Sequence, residues 1–77
     1  MGNNIKLLCI HNVVLNDGTL AFSEGKEYRG YKTSLRDMYT FKRVIRAKSN
    51  QGDRHIIKEI DSDRLDIFYG KHFIEIQ

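Results

Sequence analysis

The sequence predicts a mostly β domain, built as a compact barrel of about five short antiparallel strands. Three observations point there. Turn signals recur about every ten residues, the pieces between them are rich in aliphatic, β-branched and aromatic residues, and no long stretch carries a helical period. Among 77 residues there is no proline and there are six glycines, so the punctuation falls to glycine and to Asn and Asp in turns. The length leaves room for one domain, residues 1–77, with one core. A chain of this size buries only roughly 60% of its unfolded surface.

The first strand is expected within Ile5–Leu15, bending or ending near Asn12. Asn16-Asp17-Gly18 follows as a tight turn, because Asp-Gly readily supplies positive φ angles. A short apolar piece, Leu20–Phe22, leads to a second turn at Ser23-Glu24-Gly25-Lys26. Glu27–Lys32 reads as a short strand with aromatics at Tyr28 and Tyr31, and Gly30 between them suggests a bulge or bend. Thr33–Met38 has no period of its own and reads as an exposed loop. Tyr39–Lys48 alternates, with Tyr39, Phe41, Ile45 and Ala47 on a core face and Thr40, Lys42, Val44 and Arg46 on the other. The polar turn Ser49–Asp53 returns the chain as Arg54–Ile60, and this is the clearest hairpin in the sequence. Asp61–Arg64 is a polar link, Leu65–Tyr69 an apolar piece, Gly70–His72 a turn, and Phe73–Gln77 a closing strand.

The formal net charge of +3 is modest, yet it is unevenly placed. Between Tyr39 and Lys58 stand Lys42, Arg43, Arg46, Lys48, Arg54 and Lys58 against Asp53, whereas Glu59–Gln77 carries Glu59, Asp61, Asp63, Asp66 and Glu75 against Arg64 and Lys71. Those six cations are the candidate partner-binding residues, suited to phosphates or to an acidic protein surface. The bland alternative is that they solvate an exposed strand pair and protect its edge. Nucleic acid would call for stacking aromatics among the cations. Because Tyr39 and Phe41 are assigned to the core, a protein partner is favoured and nucleic acid is the alternative.

No catalytic constellation is read, and no cofactor or metal is expected. Cys9 and His11 fall two apart on one strand, but Cys9 stands among Leu7, Leu8 and Ile10 as a small core residue would. His55 and His72 read as lone histidines beside charged neighbours, with nothing that pairs them with a carboxylate or with each other. Asp61, Asp63 and Asp66 lack the glycine and terminal glutamate of a calcium loop and read as a solvated or helix-starting turn. Tyr28, Tyr31 and Tyr69 could line a peptide groove, although no tryptophan is present to floor it. The N-terminus has no secretory pattern, Lys6 departs from a myristoylation signal, and no apolar run reaches the roughly 20 residues of a membrane span. A single cysteine fits a reducing, cytoplasmic setting.

Three pieces in fixed order carry a resemblance. Ile5-Lys6-Leu7-Leu8-Cys9-Ile10-His11-Asn12, Leu20–Tyr28 with its Gly25-Lys26-Glu27-Tyr28 element, and Ile67–Ile76 with Phe68-Tyr69-Gly70-Lys71-His72-Phe73 together resemble the small SH3-like barrel proteins of bacteriophages and low-GC Gram-positive bacteria. Gly70 stands where that family usually has proline, and Lys32–Arg54 is longer and more basic than usual. The resemblance implies an SH3-like barrel of phage type and no single activity. The expectation is a small module that binds a host protein through the basic hairpin and alters its activity. The alternatives are a nucleic-acid-binding barrel and a structural or assembly protein.

Overall fold

A computed structural model describes residues 4–36 and 38–76. The strands are β1 (Asn4–Cys9), β2 (Val13–Val14), β3 (Leu20–Phe22), β4 (Glu27–Arg36), β5 (Phe41–Lys48), β6 (Arg54–Glu59) and β7 (Phe73–Ile76), and one helix, α1 (Asp66–His72), precedes the last. Five of them form an antiparallel sheet in the order β6-β5-β4-β1-β7, and β2 and β3 pair separately. The turns at Gly18, Gly25 and Gly52 take positive φ, as their sequence signals require.

The expected closed barrel is not formed. The two edge strands, β6 and β7, are not hydrogen-bonded to each other. The chain passes from one to the other through residues 60–72, and α1 touches both, so a turn and a helix occupy the place of a closing strand pair. The turn expected at Gly70–His72 is the end of that helix. Its seven residues are too few to imprint a helical period on the sequence.

One face of the sheet is buried. Leu7 and Cys9 of β1, Tyr28 of β4, Ile45 and Ala47 of β5, Ile57 of β6 and Phe73 of β7 form the core with Val13, Ala21 and Phe22 of the small hairpin. Phe22 is its centre, meeting Tyr28 and Phe73 edge to face at 4.9 and 5.2 Å, a favoured aromatic geometry. Phe68 and Tyr69 of α1 pack against the rim.

Gly30 does not make a bulge: β4 runs through it, paired to Ile5 on one side and Ala47 on the other. A Cβ there would lie 2.8 Å from Leu7 Cδ1 and 3.1 Å from Ile5 Cγ1, so the glycine lets two core side chains close over the central strand. The irregularity sits instead between Ile45 and Arg46, where β6 shifts register. Thr33–Arg36 is not a loop but the last four residues of β4, paired to β5 as far as Arg36↔Phe41. Asp37, within the segment expected as a loop, lies outside the described residues.

The small hairpin is fastened to the sheet by Asn50. Its Nδ2 donates to the Leu20 carbonyl and to Ser23 Oγ, its backbone N–H donates to the Ala21 carbonyl, and its Oδ1 accepts from the Tyr28 hydroxyl at 2.7 Å. The same hydroxyl accepts from the Ser23 N–H at 2.7 Å. Two buried-side polar groups are thereby satisfied reciprocally across the β5–β6 and β3–β4 turns. Tyr28→Phe is expected to destabilise the fold by about 1 kcal/mol and Asn50→Ala by about 1–3 kcal/mol. The double variant should lose less than the sum in urea titrations, because both changes remove the same bond. Strict additivity would contradict this account.

Candidate functional site

The six cations expected on the basic hairpin do not act as one group. Cross-strand pairing and alternation place Lys42, Arg46 and Lys48 of β5 on the outer face of the sheet, with Arg54 beside Lys48 on β6. Arg43 falls on the opposite face by alternation, as does Lys58, which pairs with the core residue Ile45.

Ion pairing divides them again. Arg43 donates to Asp61 through Nε and Nη2, and these bonds hold the Asp61 carboxyl below the usual carboxylate range. Lys58 Nζ lies 2.8 Å from Asp66 and over the ring of Tyr69, and Lys42 is 3.9 Å from Glu59. Arg46, Lys48 and Arg54 form no ion pair among the described residues. The acids that follow β6 in sequence thus neutralise one set of cations and leave the other.

The unpaired set gains residues that lie outside the hairpin. Tyr31 of β4 is the cross-strand partner of Arg46, and the Arg54 guanidinium stands 6.0 Å from the centre of its ring. An open groove of about 660 Å³ is lined by Asn4, Arg29, Tyr31, Lys32, Thr33, Lys48 and Arg54. Arg29 and Lys32 also lack an ion pair among the described residues. The side of Arg46 is pressed between neighbours closely enough that its Nε is buried with no hydrogen-bond partner. This is a positive surface with an aromatic ring in its middle, able to take phosphate oxygens by charge-assisted hydrogen bonds and a flat group by stacking.

Arg29 and Tyr31 were out of reach of a reading confined to residues 39–58. The available signal was alternation in Glu27–Lys32, which sets Arg29 and Tyr31 on one side and Tyr28 and Gly30 on the other. Tyr39 and Phe41 require a correction. They are not core residues: Tyr39 is 89% and Phe41 56% exposed, because β5 begins beyond the end of the core. Val44, placed on the solvent face by the same alternation, is fully buried, lying between Thr33 and Glu59 on its neighbouring strands.

The remaining candidates separate. Tyr28 is in the core, Tyr69 is half-buried on α1 with its hydroxyl donating to Glu75 at 2.9 Å, and Tyr31 is on the outer face, so the three tyrosines do not share a groove. Asp66 opens α1 and Asp61 pairs Arg43, which is the helix-starting turn expected of that segment. Among the described residues no group of three or more His, Cys, Asp or Glu is placed to hold a metal ion, and no helix is long and apolar enough to cross a membrane. Comparisons with protein-family models, with curated proteins and with solved structures found no match.

Cys9 is fully buried, and its thiol donates to the backbone carbonyl of His11 at 2.9 Å while the His11 side chain is exposed. Burial pushes the thiol pKa up, opposed by that hydrogen bond, so the reactive thiolate is scarce at neutral pH. In a kinetic assay with Ellman's reagent, Cys9 should react at least about a hundredfold more slowly in the native protein than in denaturant. Equal rates would show that the thiol is open to solvent.

Proposed function

We propose that this chain is a non-catalytic binding module whose outer sheet face takes the phosphate backbone of nucleic acid. The observation that carries the reading is the placement of Tyr31 beside Arg46, under the Arg54 guanidinium, in a groove whose outer-face cations Arg29 and Lys48 have no carboxylate partner among the described residues. A cation already paired to a carboxylate gains little by meeting a phosphate. An unpaired one releases a condensed counterion from the nucleic acid, and that release drives association. Tyr39 and Phe41 add exposed aromatic surface at the far end of the β4–β5 hairpin.

Binding an acidic surface of a host protein is the second reading. It is favoured by the exposed Met38, Tyr39 and Phe41 at the end of the β4–β5 hairpin, since aromatic residues and Met are enriched in protein interfaces. The fold itself we take to be an opened SH3-like barrel of phage type working in the host cytoplasm. The three ordered motifs, the antiparallel sheet and the single buried cysteine support that placement.

Fluorescence anisotropy with labelled oligonucleotides over a range of salt concentrations tests the main reading. Four engaged cations, Arg29, Arg46, Lys48 and Arg54, give an expected slope of log K against log salt of about −3. Arg29→Ala or Arg54→Ala should each make the slope shallower by about 1, whereas Arg43→Ala, already paired to Asp61, should leave it unchanged. No binding at low salt, or equal effects of all three substitutions, would contradict the reading.

A further inference from the structure

Strand β4 is longer than the sheet it belongs to. Among the described residues, β1 pairs with it no further than Asn4↔Tyr31, and β6 accompanies β5 only to Val44↔Glu59. The Ile60 N–H still donates to the Arg43 carbonyl, and beyond it Leu35↔Lys42 and Arg36↔Phe41 continue as a ribbon of two strands. No described residue from Tyr31 to Arg43 is buried. A two-stranded ribbon without a core is only marginally stable in water, so these residues are not explained by packing.

The chemistry of the ribbon is specific. Its end exposes Met38 at 82%, Tyr39 at 89% and Phe41 at 56%, and the Arg36 guanidinium lies 5.8 Å from the centre of the Phe41 ring. Two flat aromatic groups and a planar cation are thus offered to solvent together. At its base, Lys32 lines the groove with Tyr31 and Arg54 and also a second recess with Thr33, Ser34, Arg43 and Ile60. Arg36, which forms no ion pair among the described residues, carries positive charge out onto the arm.

We propose that this ribbon is a base-stacking arm that makes the module prefer single-stranded nucleic acid to duplex, an inference that rests on the phosphate-binding reading of the outer face. Phosphates follow the cations of the groove, and bases stack on Tyr39 and Phe41. Single-stranded bases present their π-faces without cost, and aromatic stacking accepts any base. In a duplex those faces are already stacked, so the arm gains nothing unless it unstacks a step. A protein partner fits the arm less well, because a specific protein interface needs on the order of 800 Å² from each side, more than the tip of a two-stranded ribbon presents.

The test compares three fluorescein-labelled probes of about 12 nucleotides, within the range of single-strand site sizes. They are oligothymidylate, an abasic strand carrying the same phosphates, and a duplex, with polyglutamate as an acidic polypeptide competitor. The wild-type protein should bind oligothymidylate about tenfold or more tightly than the abasic strand, and more tightly than the duplex. A Tyr39→Ala/Phe41→Ala variant, with an unchanged melting curve, should lose that preference yet keep both its abasic affinity and its salt slope. Arg54→Ala should weaken the binding of both single strands. If the tip variant binds oligothymidylate as wild type does, or if duplex binds as tightly, the arm has no stacking role while the phosphate reading stands. Tip-dependent displacement by polyglutamate at equal charge concentration would transfer the arm to a protein ligand. Failure of every probe to bind would overturn both.

Discussion

The ion pairs on one side of the β5–β6 hairpin decide what the other side can do. Glu59 ends β6, Asp61 and Asp66 follow it, and the three pair with Lys42, Arg43 and Lys58. Each pair is largely exposed and contributes little to stability. Its effect is distributional, because the carboxylates of Asp61 and Asp66 are spent on Arg43 and Lys58, on the face opposite Arg46, Lys48 and Arg54. A protein of net charge +3 thereby gathers cations without ion pairs among the described residues, Arg29, Arg46, Lys48 and Arg54, on one face, and charge gathered on one face steers an anionic partner better than the same charge scattered.

Chain length imposes the companion constraint. One small hairpin and one short helix are enough to cover a single face of a five-stranded sheet, so the opposite face must remain in water. Covering the inner face closely depends on Gly30, where Leu7 and Ile5 approach the backbone of the central strand. It depends also on Asn50, which ties the hairpin turn to the sheet. With the core closed on that side, the outer-face residues of β4 and β5, Val44 excepted, are released from core packing. Long side chains such as Arg46 can then lay their stems on the sheet and keep their charge near solvent.

Local signals were enough to read most of the fold in the sequence. The period of two in Phe41–Lys48, its polar turn at Gly52 and its return through Arg54–Glu59 are properties of adjacent residues, and so are the glycine turns at Gly18 and Gly25. What escaped depends on distant partners. Thr33–Arg36 has weak strand character and is a strand because β5 pairs with it. Tyr39 and Phe41 follow the alternation of a buried face, yet the core ends before it reaches them, and no local pattern reports where a core ends. The candidate site was legible in part for the same reason. Arg46, Lys48 and Arg54 were found by charge alone, whereas Arg29 and Tyr31 join them only through the β4–β5 register. The separation of Arg43 and Lys58 from the group required the ion pairs to be seen.

Segregation of the unpaired cations around Tyr31 into one binding face is the central claim, and backbone amide chemical shifts recorded during titration with an unlabelled single-stranded oligonucleotide test it most directly. The account predicts that the amides of Arg29, Tyr31, Arg46, Lys48 and Arg54 move together and saturate at one affinity, while those around Asp61 and Asp66 stay still. Shifts confined to the Asp61–Asp66 side would contradict it.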